Sequence, residues 1–86
     1  MLYSRNISFR KRNICGKVYL VSPGPSIELN GVAEWTWDQL EQPRAAPEVA
    51  RLISTEYGIP EAEALADTEE LLTALVEAGA LRTVSS

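Results

Sequence analysis

Residues 26–40 read SIELNGVAEWTWDQL, a strand that runs into a helix with no loop between them. Ile27 and Leu29 alternate with Ser26 and Glu28, the period-two pattern of a half-buried strand. Asn30 follows where a helix N-cap belongs, its side-chain oxygen free to accept a backbone N–H of the first turn. Val32, Trp35, Trp37 and Leu40 then recur at mainly helical spacing, and Gln42-Pro43 ends the run. Such a junction fixes one sheet edge against a helical layer. The rest of the chain must complete that sheet or pack on that helix.

Upstream, Ser4 to Arg10 is predicted as a first strand, with Tyr3, Arg5, Ile7 and Phe9 on one parity. Lys11 to Gly16 reads as a turn, carried by Asn13 and Gly16. Lys17 to Val21 is β-rich on both parities, as in a central strand, and Ser22-Pro23-Gly24-Pro25 is a turn by its chemistry. Ser26 to Leu29 is then the third strand of an antiparallel meander, at its edge because the chain leaves it for a helix.

Downstream, the first helix spans about Gly31 to Glu41. A second opens near Ala46 or Pro47, turns Val49, Leu52, Ile53 and Tyr57 inward, and stops at Gly58. A third runs from Pro60 to about Ala78 and ends at Gly79. Along it Leu65, Thr68, Leu72, Leu75 and Val76 form one stripe, with Ala64, Asp67, Leu71 and Ala74 beside it. Residues 80–83 read as a short extended return and residues 83–86 as a flexible tail. The order predicts an α+β winged helix-turn-helix: an N-terminal three-stranded antiparallel sheet followed by three helices, in a single domain over residues 1–86.

With 45% apolar and 23% charged residues the composition is that of a soluble globular domain. No apolar run approaches the ~20 residues that cross a bilayer, and the N-terminus lacks the apolar segment of a secretory signal. Cys15 stands alone, so no internal disulfide is available, which suits a reducing cytoplasm. The net charge of −4 hides a division. Met1 to Ile27 carries five basic residues and no acidic one; Glu28 to Ser86 carries twelve acidic residues against three basic.

The chain has no histidine, which excludes the usual nucleophile–base pairs and histidine metal ligands. Cys15 lies near Arg12 and Lys17 but has no base partner. The carboxylates of the third helix sit at its N-terminus and on its outward face, where solvated charges belong. No Gly-rich phosphate loop is present, and no metal or cofactor is expected. A winged helix invites a DNA-binding reading. Between Arg51 and Arg82, however, there is no basic residue, so the third helix would present carboxylates to phosphates. Only Arg10-Lys11-Arg12 could meet nucleic acid.

LNGVAEWTWDQL, the Tyr57-Gly58-Ile59-Pro60 step and ADTEELLTALVEAGALR occur in the order and spacing of one family. Over about Gly16 to Arg82 the chain resembles the PqqD-like peptide-recognition domains of ribosomal peptide modification systems. The resemblance implies a non-catalytic module that binds the leader of a precursor peptide. The leader adds a strand to the third strand and lies against the third helix. It is most similar to the split leader-binding protein of lasso peptide biosynthesis, whose partner is a separate leader peptidase. The quinone-cofactor peptide chaperone, whose partner is a modifying enzyme, is the alternative.

The expected peptide-binding set is Ser26, Ile27, Glu28 and Leu29 on the strand, with Ala64, Asp67, Thr68, Leu71, Ala74 and Leu75 on the helix. An unpaired strand edge beside small and apolar helix residues suits strand addition on physical grounds as well. Core packing is the plain alternative for the apolar members, and a surface charge or cap for Asp67. Ile27 and Leu29 are expected to keep their side chains in the core while their strand lends its backbone. The sequence leaves open which strand parity faces the peptide, and which of Trp35 and Trp37 is exposed.

Overall fold

The computed structural model describes residues 1–24 and 26–85. Its elements are β1 (Leu2–Arg5), β2 (Arg10–Ile14), β3 (Lys17–Val21), β4 (Ile27–Leu29), α1 (Gly31–Gln39), α2 (Ala46–Tyr57), α3 (Glu61–Glu77) and β5 (Leu81–Val84). They form a three-stranded sheet in the order β2-β3-β4 and a two-stranded sheet pairing β1 with β5, all antiparallel. The predicted α+β plan of a sheet followed by three helices holds. Its strand assignment near the N-terminus does not.

The first strand ends at Arg5, not Arg10, because Asn6 reverses the chain. Its side-chain oxygen accepts the Ser8 N–H at 3.0 Å, and its carbonyl accepts the Phe9 N–H at 3.0 Å. Asn6 also donates its backbone N–H to Ala80 and its side-chain amide to Gly79, which fastens the reversal to the end of α3. The stretch expected to be a turn, Lys11 to Gly16, is mostly strand β2, and only Cys15 and Gly16 turn. Both have positive φ, 52° and 80°, the signature of the two-residue hairpin whose twist matches the strands it joins. β5 runs through Val84, so Thr83 and Val84, expected in the tail, are paired with Tyr3 and Leu2. Ser86 of that tail and Pro25 of the expected Ser22–Pro25 turn lie outside the described residues.

The strand-to-helix junction forms as expected. β4 is an edge strand, and Asn30 caps α1 by accepting the Ala33 N–H at 2.8 Å. Pro47 sits in the first turn of α2, and Gly58 closes it at φ 66°. Gly79 turns the chain at φ 86° beyond α3. One core joins the layers: Leu20 and Leu29 from the sheet, Ala33, Trp37 and Leu40 from α1, Val49 and Ile53 from α2, and Leu72 and Leu75 from α3. Trp37 is the core tryptophan; Trp35 is half-buried, edge-on to Tyr57 with ring centroids 5.8 Å apart. Arg5 binds the Trp37 carbonyl through Nε and Nη2 at 3.1 and 2.6 Å and lies 4.9 Å from the Trp37 ring, a cation at the negative end of α1.

Candidate peptide-binding site

The register of the sheet settles which backbone groups the edge offers. A two-residue hairpin closes on a hydrogen-bonded pair, here Ile14 and Lys17, so Lys17, Tyr19 and Val21 aim their N–H and C=O groups toward β2. Val18 and Leu20 must therefore aim theirs toward β4, where they pair with Leu29 and Ile27. Glu28, opposite Tyr19, is left with both backbone groups pointing out of the sheet. Ser26 shares that parity. The side chains divide the same way, because Leu29 is buried and Ile27 half-buried on the helix side, whereas Ser26 and Glu28 are exposed.

Three residues beyond β4 lies an apolar hollow of about 260 Å³, lined by Val32, Ile53, Tyr57, Ile59, Glu63, Asp67, Thr68 and Leu71. The first turn of α1, the end of α2 and one face of α3 make its walls. It is smaller than the ~300–1,000 Å³ of pockets that enclose drug-sized ligands, and fits a side chain or two better than a cofactor. A shallower hollow continues along α3 between Asp67, Glu70, Leu71 and Ala74. From Glu63 to Ala74 the two extend ~16 Å along the helix axis, the length of about five residues of extended chain. Carboxylates rim this track at Glu63, Asp67 and Glu70. Thr68 is 1% exposed, and its hydroxyl has no hydrogen-bond partner, an unmet group facing the side of α3 that carries the hollow.

The structure thus brings Asp67, Thr68 and Leu71 to the hollow and Ala74 to its extension. It does not bring Ala64 or Leu75. Ala64 is fully buried and Leu75 is 4% exposed; both pack in the core and, unlike Thr68, line neither hollow. The burial line of α3 takes Ala64 from the stripe expected to line the peptide groove and joins it to Thr68, Leu72 and Leu75 against α2. Val32, Ile53, Tyr57 and Ile59 are hollow residues that a helix-face reading assigns to the core or leaves aside. The Tyr57-Gly58-Ile59-Pro60 step was the available signal, since its left-handed Gly58 turns the chain so that Tyr57 and Ile59 share one wall.

A larger hollow, about 530 Å³, lies between the Asn6–Phe9 reversal and the end of α1. Arg5, Lys11, Asp38 and Glu41 line it, and Arg5 and Lys11 are already engaged in bonds that hold the fold together. β2, the other edge of the sheet, borders it, but its lining is mostly charged and polar, and the smaller apolar hollow is the better peptide site. Among the described residues no helix is long and apolar enough to cross a membrane.

Residues 17–81 match the family described as coenzyme PQQ synthesis protein D (PqqD). No curated protein matches the chain. Among solved structures the chain is similar to TbiB1 in complex with the TbiA(β) leader peptide, at 21% identity over 96% of this chain and 99% of that one, with a TM-score of 0.80. It is also similar to the PqqD part of Methylobacterium extorquens PqqCD, described as a stand-alone recognition element for ribosomally synthesized and post-translationally modified peptides. The identity there is 18% over 95% of this chain and 89% of that one, with a TM-score of 0.79. A lasso peptide synthetase B1 complexed with its leader peptide follows at 20% identity, 94% and 98% coverage and a TM-score of 0.76. At such identities the likeness is one of fold.

Proposed function

The chain belongs to the PqqD family, and from that premise we propose that it is a non-catalytic adaptor that captures the leader of a ribosomally made precursor peptide. The leader adds as a strand at β4 and anchors an apolar side chain in the hollow beside α3. The module then delivers the peptide to a separate processing enzyme. The observation that carries this reading is the open backbone of Glu28 on an edge strand that leads straight to an apolar hollow. Structural relatives were solved with leader peptides bound, which supports the same mode. One of the three is a lasso peptide synthetase B1 with its leader, which supports delivery within lasso peptide biosynthesis; the PqqD part of PqqCD keeps the quinone-cofactor chaperone role as the alternative.

Strand addition supplies sequence-tolerant affinity through the backbone, and the hollow supplies selection through one anchored side chain. A chain with no histidine and an exposed lone cysteine has little to contribute to bond breaking. The test is a titration of a fluorescein-labelled synthetic leader from the precursor encoded alongside the chain. A saturable one-to-one complex is expected, with no change in the mass of the peptide after prolonged incubation. Absence of binding, or cleavage by the purified chain alone, would overturn the adaptor reading.

A further inference from the structure

Two buried hydroxyls have no hydrogen-bond partner among the described residues, those of Thr36 and Thr68. Both are enclosed, at 0% and 1% exposure, and both belong to helices, where a threonine ordinarily lends its hydroxyl to a carbonyl one turn back. Their settings differ. Thr36 lines neither hollow along α3, whereas Thr68 is part of the lining of the apolar one, together with Glu63, Asp67 and Leu71. A buried hydroxyl left unmet costs stability, so one kept in the wall of a binding hollow points to a bond that the ligand completes.

The charges around Thr68 say what that ligand brings. Glu63 and Asp67 share the hollow with it and Glu70 follows on the same track, and none of the three has an ion pair among the described residues. Glu63 lies in the first turn of α3, where the helix dipole favours a carboxylate, but Asp67 and Glu70 lie beyond that turn. Spaced four and three residues apart, these carboxylates repel one another and cost the helix stability. Ionised carboxylates only accept hydrogen bonds, so a group that satisfies them and the Thr68 hydroxyl together is a donor, and a cationic one also relieves the repulsion. The rest of the lining, including Tyr57, Ile59 and Leu71, is apolar and suits the methylene stem that Lys and Arg carry beneath a charged head.

We infer that Thr68, Glu63 and Asp67 make the leader site selective for a basic side chain, a Lys or Arg two residues from the apolar anchor on Leu71. The inference rests on the adaptor reading and names what the adaptor selects. The spacing follows from the strand. A leader residue paired with Glu28 sends its side chain outward as Glu28 does, so the residues on either side of it project toward the helices. Those two are ~6.7 Å apart in extended chain, and Asp67 and Leu71 are ~6 Å apart along the axis of α3. One of the pair packs on Leu71; the other carries its charged head to Asp67 and Glu63 and donates to the Thr68 hydroxyl. A neutral polar side chain there would satisfy Thr68 alone and leave the carboxylates unpaired.

The experiment titrates the fluorescein-labelled leader of the precursor encoded alongside the chain, and versions of it in which each Lys or Arg is replaced in turn by methionine. One replacement should weaken binding to the wild-type chain by about threefold or more at low salt, and by less than about twofold in Glu63→Gln/Asp67→Asn, whose rim no longer distinguishes a cation. Thr68→Val keeps the shape and removes the hydroxyl. It should melt higher than wild type, bind the native leader about threefold more weakly, and bind the methionine version as wild type does. Thr36→Val should also melt higher but keep native leader affinity, which separates relief of a buried hydroxyl from loss of a ligand contact. Native leader affinity in Thr68→Val, or a melting temperature below wild type, would overturn the inference. So would a cation effect undiminished in Glu63→Gln/Asp67→Asn, or a leader that no replacement weakens; each of these leaves the adaptor reading standing. A wild-type chain that bound no leader would overturn both.

Discussion

Leu71 is half-buried where the two hollows along α3 meet, which makes it the side chain on which the leader site turns. Leu71→Glu should weaken leader binding at least tenfold, about 1.4 kcal/mol, because a carboxylate must be desolvated against an apolar anchor. Its melting temperature should stay close to wild type. The contrast is Leu72→Ala, one residue on and fully buried, where loss of folding stability of about 2–5 kcal/mol is expected. A Leu71→Glu protein that unfolds, or that binds with native affinity, would remove Leu71 from the site. Cys15 poses a different question. It holds φ 52° in the hairpin turn, a conformation that disfavours most side chains and that asparagine tolerates. Cys15→Asn should therefore raise stability by about 0.5 kcal/mol in urea titrations and leave leader binding unchanged.

At the scale of elements, the open parity of β4 is the sharpest claim. Glu28→Pro removes an N–H that no strand uses, so the variant should fold and lose the leader. Ile27→Pro and Leu29→Pro remove N–H groups bonded to β3 and should lose structure, with Ile27→Ala and Leu29→Ala as side-chain controls. A folded Glu28→Pro protein with native leader affinity would exclude strand addition. The hairpin is tied down separately by Lys11, whose hydrogen bond to Asp38 chiefly raises its pKa above 10.5, with a further contribution from Glu34 and opposition from burial. A raised folded-state value means that this stabilisation is complete below pH 10.5 and lost as pH climbs through it. Lys11→Met should thus cost about 0.5 kcal/mol at neutral pH, a gap that closes at strongly alkaline pH in paired melts. Residues 26–40 were legible in sequence because period and cap agree there. β2 was not, since an edge strand with one solvated face and Lys11 turned inward shows no apolar alternation. Nor was the closure of β1 by β5, a pairing of the two chain ends that no local pattern records. Within the site, the strand and the α3 wall of the hollow were readable; Val32, Ile53, Tyr57 and Ile59 were not, because the hollow draws its walls from three helices at once.

Across the whole molecule, charge is segregated by layer, with unpaired cations on the outer sheet face and carboxylates along α3. Leader binding and nucleic-acid binding should consequently respond to salt in different ways. Leader binding through backbone groups and one apolar anchor releases few ions, and the carboxylates around the hollow contribute only screened attraction to any cation in the leader. Its affinity should fall by less than about fivefold between 50 and 500 mM salt. Recognition of DNA by Arg10, Arg12 and Lys17 would be far steeper: neutralising three phosphates gives a loss of about 500-fold over the same range. Measuring leader affinity in one salt series on the wild-type chain separates these cases without any substitution. A leader affinity that fell as steeply as the DNA case would mean that the peptide is held by the basic hairpin and not by β4 and the hollow.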